Sequence, residues 1–388
     1  MKKIALSIIL TIPFAVSAQT VEFNRVLNQV IDSLTTVRTL EKGFDAEIMA
    51  LKAENSLSGP EIGFEHKWPQ RSGEGNRWGI EVSQEIEWPA VYGARRLAAT
   101  NLAKIKSDAT AQTERWLRFE VADRLLQLID VRKRIDILNE IQSNLEEISN
   151  SMVKMLERGE ATIIDCRKAE FESLAIKEKL ADALIEYDRV AALVGFGQFV
   201  PSGLDLLKDY PDSPVEFPLM TPDEIEKQVS VKRSNDEIRM ERMKNMPSIS
   251  VGYLHDYEEG IHFNGFSVGL KLPSYGRKKR NAAKQIESET LQMELEQVRA
   301  ERIASVTADV AELKRLSKLL EEYKKMLGTN DYLGQLRKSF DARQITLTQY
   351  LLDQNQYFTT QLDYLALQLR YQRLLPARKA LLILKESN

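Results

Sequence analysis

The sequence predicts a mainly α-helical chain with a small β part, in which one unit, a strand pair followed by a long helical hairpin, occurs twice. Three observations predict it. Two proline-free runs, Ala90 to Glu157 and Ser274 to Leu375, carry apolar residues at steps of three and four. Before each run lie two segments in which apolar and polar residues alternate, the two-residue period of a strand. At an offset of 184 residues Pro89 falls on Pro273, Ala98-Ala99 on Ala282-Ala283 and Thr162 on Thr346, and an internal duplication explains this constant spacing.

Taken in order, the chain opens with Lys2 and Lys3, an apolar stretch from Ile4 to Val16, and Ser17-Ala18 before the polar Gln19. That is the pattern of a secretory signal peptide over residues 1–18, so the mature chain is expected outside the cytoplasm. No cysteine stands at the cleavage point to carry a lipid anchor, and the single Cys166 forms no intrachain disulfide. No later apolar run is long enough for a transmembrane helix, so a membrane span would have to be a β-barrel. With 29% charged residues and a net charge of -3, the composition makes no electrostatic case for nucleic acid.

The first repeat is assigned to residues 19–197. A helix from Val21 to Leu57 precedes strands at about 60–68 and 77–88. In the second strand Trp78, Ile80, Val82, Ile86 and Trp88 alternate with Glu81, Ser83, Glu85 and Glu87, and Pro69 to Asn76 forms the turn. Trp68, Trp78 and Trp88 stand at strand ends, where membrane-interface aromatics sit in barrels. The helical hairpin is assigned to 90–195, its seam formed by Val121, Leu125, Leu128, Val131, Ile135, Leu138, Ile141, Leu145, Ile148, Met152 and Met155, and on the return by Leu180, Leu184, Tyr187 and Val194. A helix of about 65 residues is on the order of 100 Å long, which no compact domain of this size needs.

Residues 198–222, with five of the twelve prolines, read as a proline-rich linker. The second repeat, 223–388, begins with a helix to Asn245, followed by strands at about 247–255 and 263–272 and a polar loop from His255 to His262. A hairpin over 274–385 follows, with its seam at Ile303, Val306, Val310, Leu313, Leu316, Leu320, Tyr323 and Leu327, then Phe358, Leu362, Leu365 and Leu369. At the hairpin turns, 156–165 reads LERGEATIID and 340–350 reads FDARQITLTQY. Gly159 suits a left-handed helix end and Thr162 a cap for the next helix.

This assembly of signal peptide, duplicated strand pair, long hairpin and proline-rich junction resembles the TolC-type outer-membrane efflux proteins across essentially the whole mature chain. The resemblance implies a homotrimer, with four strands per protomer forming one twelve-stranded transmembrane β-barrel in outer-membrane lipid and the helices forming a periplasmic α-barrel. It implies a Gram-negative outer membrane, a periplasmic adaptor (membrane fusion) protein, and an inner-membrane pump of the resistance-nodulation-division or ABC type. The duct would conduct passively, and its cargo stays open among metal ions, drugs and polypeptides. The hairpin turns become the adaptor-docking tip, with Arg158, Gly159, Thr162, Arg343 and Thr346 as contacts; Arg343 stands where the family carries glycine. Asp165, Gln349 and Asp353 become candidates for the pore constriction, where carboxylates favour cations.

No phosphate-binding glycine loop and no set of nucleophile, base and orienting group is present, so neither catalysis nor a cofactor is expected. His255 and His262 flank Asp256, Glu258 and Glu259 without matching a metal-ligand motif, and no metal is assigned. Arg277-Lys278-Lys279-Arg280 suits a membrane rim at a helix start. The rival reading is a periplasmic coiled-coil scaffold with a small β head that conducts nothing.

Overall fold

A computed structural model describes residues 20–68, 76–211, 216–272, 275–328, 331–378 and 380. The signal peptide assigned to 1–18, most of the turn from Pro69 to Asn76 and the end of the last hairpin lie outside the described residues. The chain is mostly helical with a small antiparallel sheet. Helices α1 (residues 20–33) and α2 (Thr36–Glu54) lead into strands β1 (Glu61–Lys67) and β2 (Arg77–Ile86), then α3 (Pro89–Glu157) and α4 (Ile163–Val194). The second half runs α5 (Pro222–Lys244), β3 (Ser248–Glu258), β4 (Ile261–Lys271), α6 (Arg277–Leu327), α7 (Tyr332–Asp341) and α8 (Leu347–Leu374).

The contacts divide the chain into two compact units. One comprises Met1–Thr35, Glu114–Leu219 and Arg302–Asn388, and the other Thr36–Thr113 and Met220–Glu301.

In the first unit, burial follows the seam. Leu138, Ile141, Leu145, Ile148 and Met152 step three, four, three, four along α3, and all are buried. On α4 the buried series Ala169, Ile176, Ala183 and Val190 repeats every seven residues, the interval that keeps one stripe facing a neighbouring helix. Leu184, expected in the seam, is 48% exposed, and Ala183 is buried instead. A small residue lets helix backbones approach, and the seven-residue repeat from Ile176 selects 183. Near the turns Ile148, Met152, Cys166, Ala169, Leu336, Phe340, Leu347 and Tyr350 form one core drawn from α3, α4, α7 and α8.

Three further expectations change in this unit. The helix expected from Val21 to Leu57 breaks at Leu34 and Thr35, where Ser33 Oγ donates to the Val30 carbonyl and Leu34 N–H to that of Ile31. Serine offers the backbone a competing partner, and Thr35, Thr36 and Val37 follow as β-branched residues. The outgoing arm of the second hairpin is also not one helix: α6 stops at Leu327 before Gly328, and Asp331 caps α7 by accepting from Gly334 N–H at 3.0 Å. Finally, the proline-rich segment is docked rather than merely irregular. It forms a 3-10 turn at Leu204–Leu206, buries Leu207, donates from Tyr210 Oη to Asp130 at 3.3 Å, and pairs Asp209 with Lys133.

The other unit carries the sheet, ordered β1-β2-β3-β4 with every pair antiparallel. Its helical core is Phe44, Leu102, Ile105, Ala109 and Ile225. Pro89 and Pro222 each open a helix at a first-turn position that has no N–H partner to lose. At the strand-to-helix junction the buried Arg95 grips Glu87 with both terminal nitrogens and donates to the Glu54 carbonyl at 2.9 Å. The polar loop expected from His255 to His262 is absent, because β3 runs to Glu258 and β4 starts at Ile261. Only Glu259 (φ 46°) and Gly260 (φ 87°) turn the chain, and two left-handed residues match the twist of the flanking strands.

Candidate functional sites: the helical turns and the two faces of the sheet

The two turns of the first unit are built alike, 184 residues apart. After α3, Gly159 (φ 72°) takes the left-handed conformation, and Glu160 N–H reaches back to the Met155 carbonyl at 2.8 Å. After α7, Arg343 (φ 61°) does the same, and Gln344 N–H reaches the Ser339 carbonyl at 2.8 Å. Both close helix ends whose carbonyls lack intrahelical partners. Thr162 and Thr346 then start α4 and α8, each hydroxyl accepting from the backbone N–H three residues on at 3.2 Å.

The third position of the new helix separates the turns. Asp165 returns to Thr162, accepting from its N–H at 3.2 Å and its hydroxyl at 2.7 Å, which completes a capping box. Those two bonds hold its carboxyl below the usual aspartate range. Gln349, at the matching place, instead donates to both oxygens of Asp353 at 2.9 and 3.0 Å. Asp353 lines a hollow of about 270 Å³ with Tyr332, Gln335 and Tyr357.

The turns are also tied together. Arg343 pairs with Glu160 at 2.7 Å, and Lys168 donates to Thr348 at 3.0 Å. Arg158, Gly159, Thr162, Arg343 and Thr346 are therefore gathered in joined turns and exposed. Glu160, Lys168 and Thr348 were not singled out in the sequence. The 184-residue offset carried the signal, since it lays one turn over the other.

The sheet has two unlike faces. Cross-strand pairing puts Ile62, Phe64, Ile80, Val82, Ile86, Ile249, Val251, Tyr253, Phe266, Val268 and Leu270 on one side. The other side holds Glu61, Glu65, Lys67, Arg77, Glu81, Glu85, Asp256, Glu258 and Lys271 among serines and glycines, with Leu254, Ile261 and Phe263 as its apolar members. The apolar side is not a core: Phe64 is 70%, Phe266 84% and Val268 76% exposed. The polar side is cross-linked, with Ser248 donating to Glu85 at 2.5 Å and Ser267 to Glu81 at 3.0 Å.

Aromatic residues bracket the apolar face. Trp68 and Trp78 lie at the end where the hairpins turn, Trp78 stacking on Tyr257 at 5.6 Å, and Trp88 lies at the end that enters α3. β2, β3 and β4 have 10, 11 and 11 residues, and a tilted strand needs about 9–11 to cross a bilayer. Among the described residues no helix is long and apolar enough to do so.

No family model matches the chain, and no curated protein matches it. Solved structures do. The outer-membrane channel OprN superposes with a TM-score of 0.74 at 12% identity, over 93% of this chain and 91% of that one. The outer membrane protein VceC from Vibrio cholerae gives 0.72 at 12% identity, over 94% and 96%. A membrane protein from Pseudomonas aeruginosa gives 0.71 at 15% identity, over 93% and 90%. The chain has the fold of the outer-membrane channel OprN and the outer membrane protein VceC, the fold that its resemblance to the TolC-type proteins implies.

Proposed function

We propose that this chain is one protomer of a TolC-type channel in the outer membrane of a Gram-negative bacterium, a duct that extends into the periplasm and performs no catalysis. The observation that carries the reading is the sheet: an apolar face without a covering layer among the described residues, backed by a face of carboxylates, lysine and arginine. Burying a side chain such as Phe266 or Val268 contributes roughly 1.5–3 kcal/mol, a strong drive toward lipid. Four strands do not close a barrel by themselves, so three copies would join into twelve, apolar side outward and charged side lining water.

The helical repeats would then form the periplasmic α-barrel. The joined turns, with Arg158, Gly159, Thr162, Arg343 and Thr346, would meet an adaptor protein, and an inner-membrane pump would supply the energy for a passive duct. Asp165, Gln349 and Asp353 would stand near its constriction. Asp165 is held by its cap, which leaves Asp353, tethered by Gln349, as the stronger candidate for a cation-attracting group.

Fractionation and conductance test the reading together. The protein should pellet with outer membrane, dissolve only in detergent as a trimer, and conduct across a planar bilayer. Val268→Arg, on the apolar face, should cost about 2–4 kcal/mol of insertion energy and block assembly, while Ser267→Arg on the opposite face should still insert. A monomer that stays in the aqueous fraction overturns the proposal and favours the scaffold.

A further inference from the structure

All three histidines of the chain lie on the apolar face at its hairpin-turn end. Two of them touch. His255 pairs across the sheet with Asn264, and His262 with Tyr257, so the imidazoles meet on the diagonal, with ring centroids 5.3 Å apart. His262 Nδ1 lies 3.3 Å from His255 Nε2.

The surroundings fix which nitrogen is available. His255 Nδ1 is 2.7 Å from Asn264 Oδ1, which also accepts from Tyr253 Oη–H at 2.7 Å. An amide oxygen only accepts, so His255 carries its proton on Nδ1 and turns the lone pair of Nε2 toward His262. This is how metal-binding histidines are prepared: a second partner on the far nitrogen sets the tautomer and the ring orientation. Trp78 at 5.8 Å from the His255 ring and Tyr257 at 5.1 Å from the His262 ring hold the pair from the sides.

The spacing suits one ion. Two imidazole nitrogens bound to a tetrahedral zinc at about 2.0–2.1 Å stand roughly 3.3–3.4 Å from each other. From this geometry we infer that His255 and His262 form a two-imidazole site for a divalent transition-metal ion, zinc or copper in class, at the outer rim of the sheet. No group of three or more His, Cys, Asp or Glu gathers among the described residues, so the protein supplies two ligands and water the rest. Neutral imidazole suits zinc, copper and nickel and is a poor ligand for calcium or magnesium. When the ion binds, the proton on His262 Nδ1 moves to Nε2 of the same ring, so both facing nitrogens present lone pairs. Both ligands come from the β3–β4 hairpin, and the site stands whether or not the chain conducts.

The test uses the purified full-length protein. Titration with zinc should show one ion bound per chain, and copper(II) at one equivalent should give an electron paramagnetic resonance spectrum with coupling to two nitrogens. His255→Asn and His262→Asn should each weaken zinc binding by about tenfold or more, and Asn264→Leu should weaken it less. His66→Asn, on β1 with β2 between it and the pair, should leave it unchanged. These side chains lie at the sheet surface, and circular dichroism checks that each variant folds. Failure to bind zinc, or binding that survives both the His255→Asn and His262→Asn substitutions, overturns the inference.

Discussion

The turn after α3 and the turn after α7 have one backbone and two chemistries. Gly159 and Arg343 occupy the same left-handed position with φ of 72° and 61°, followed by the same reach-back hydrogen bond and the same threonine cap. For glycine that conformation is free of strain; for an L side chain it costs about 1–2 kcal/mol. In exchange Arg343 offers a charge to Glu160, in the first turn, at 2.7 Å. Then Asp165 closes a capping box on its own turn, whereas Gln349 turns to Asp353. The geometry is shared and the work is divided: the first turn closes its own capping box, and the second sends Arg343 across to the first.

If that is correct, the glycine is the most sensitive point. A Cβ on Gly159 meets nothing within 4 Å, so Gly159→Ala isolates the backbone term. It should destabilise the first turn by about 1–2 kcal/mol, read as faster amide exchange at the end of α3 and the start of α4. The caps come next. Thr346→Ala should cost about 1 kcal/mol, and Thr162→Ala more, because the box loses a bond in each direction. Equal losses at the two threonines would show that the Asp165 half of the box contributes nothing.

These turns were legible in the sequence because their devices are local. Gly159, Thr162 and Thr346 announce helix ends by residue type, and the offset of 184 placed Arg343 beside Gly159. The seams were legible too: Val121, Leu125, Leu128, Leu138, Ile141, Leu145, Ile148 and Met152 are all buried. What escaped was decided by contacts between distant segments or by single small residues. Ala183 replaces Leu184 in the core because packing distance, not hydrophobicity, chooses between neighbours. Gly328 and Asp331 end one helix and start another inside a run that lacks proline. His255 and His262 read as the ends of a polar loop because the stretch between them is rich in Asp and Glu; Glu259-Gly260 was the two-residue turn that would have extended both strands. Nothing local announced that Tyr210 would find the buried Asp130, 80 residues earlier.

The capping box also separates the turns by pH. The carboxyl of Asp165 is held below its ordinary value by the Thr162 hydroxyl and N–H. A depressed carboxyl stabilises the folded turn above the unfolded pKa of about 3.9, and that contribution is lost as the pH falls through the lower folded value. Between pH 5 and pH 3 amide protection, corrected for intrinsic exchange, should therefore fall more at the first turn than at the second, where the neutral Gln349 stands. Asp165→Asn should abolish the difference. A fall that persists in that variant would place the titrating group elsewhere.

The smallest effect is the one that tests the link between the turns. Arg343→Gly removes left-handed strain of about 1–2 kcal/mol and loses an ion pair whose arginine is largely exposed, worth about 0.2–1 kcal/mol. The variant should come out slightly more stable than the parent, and the gain should grow as salt is raised if the pair matters, because salt weakens an attraction that only the parent has; a gain that does not change with salt marks a pair of no consequence. A double-mutant cycle with Glu160→Gln separates the two terms. A coupling of a few tenths of a kcal/mol that fades as salt is raised identifies the pair as an electrostatic tie. A coupling of zero at low salt leaves Arg343 with a strain and no compensating contact, and the division of work between the turns fails.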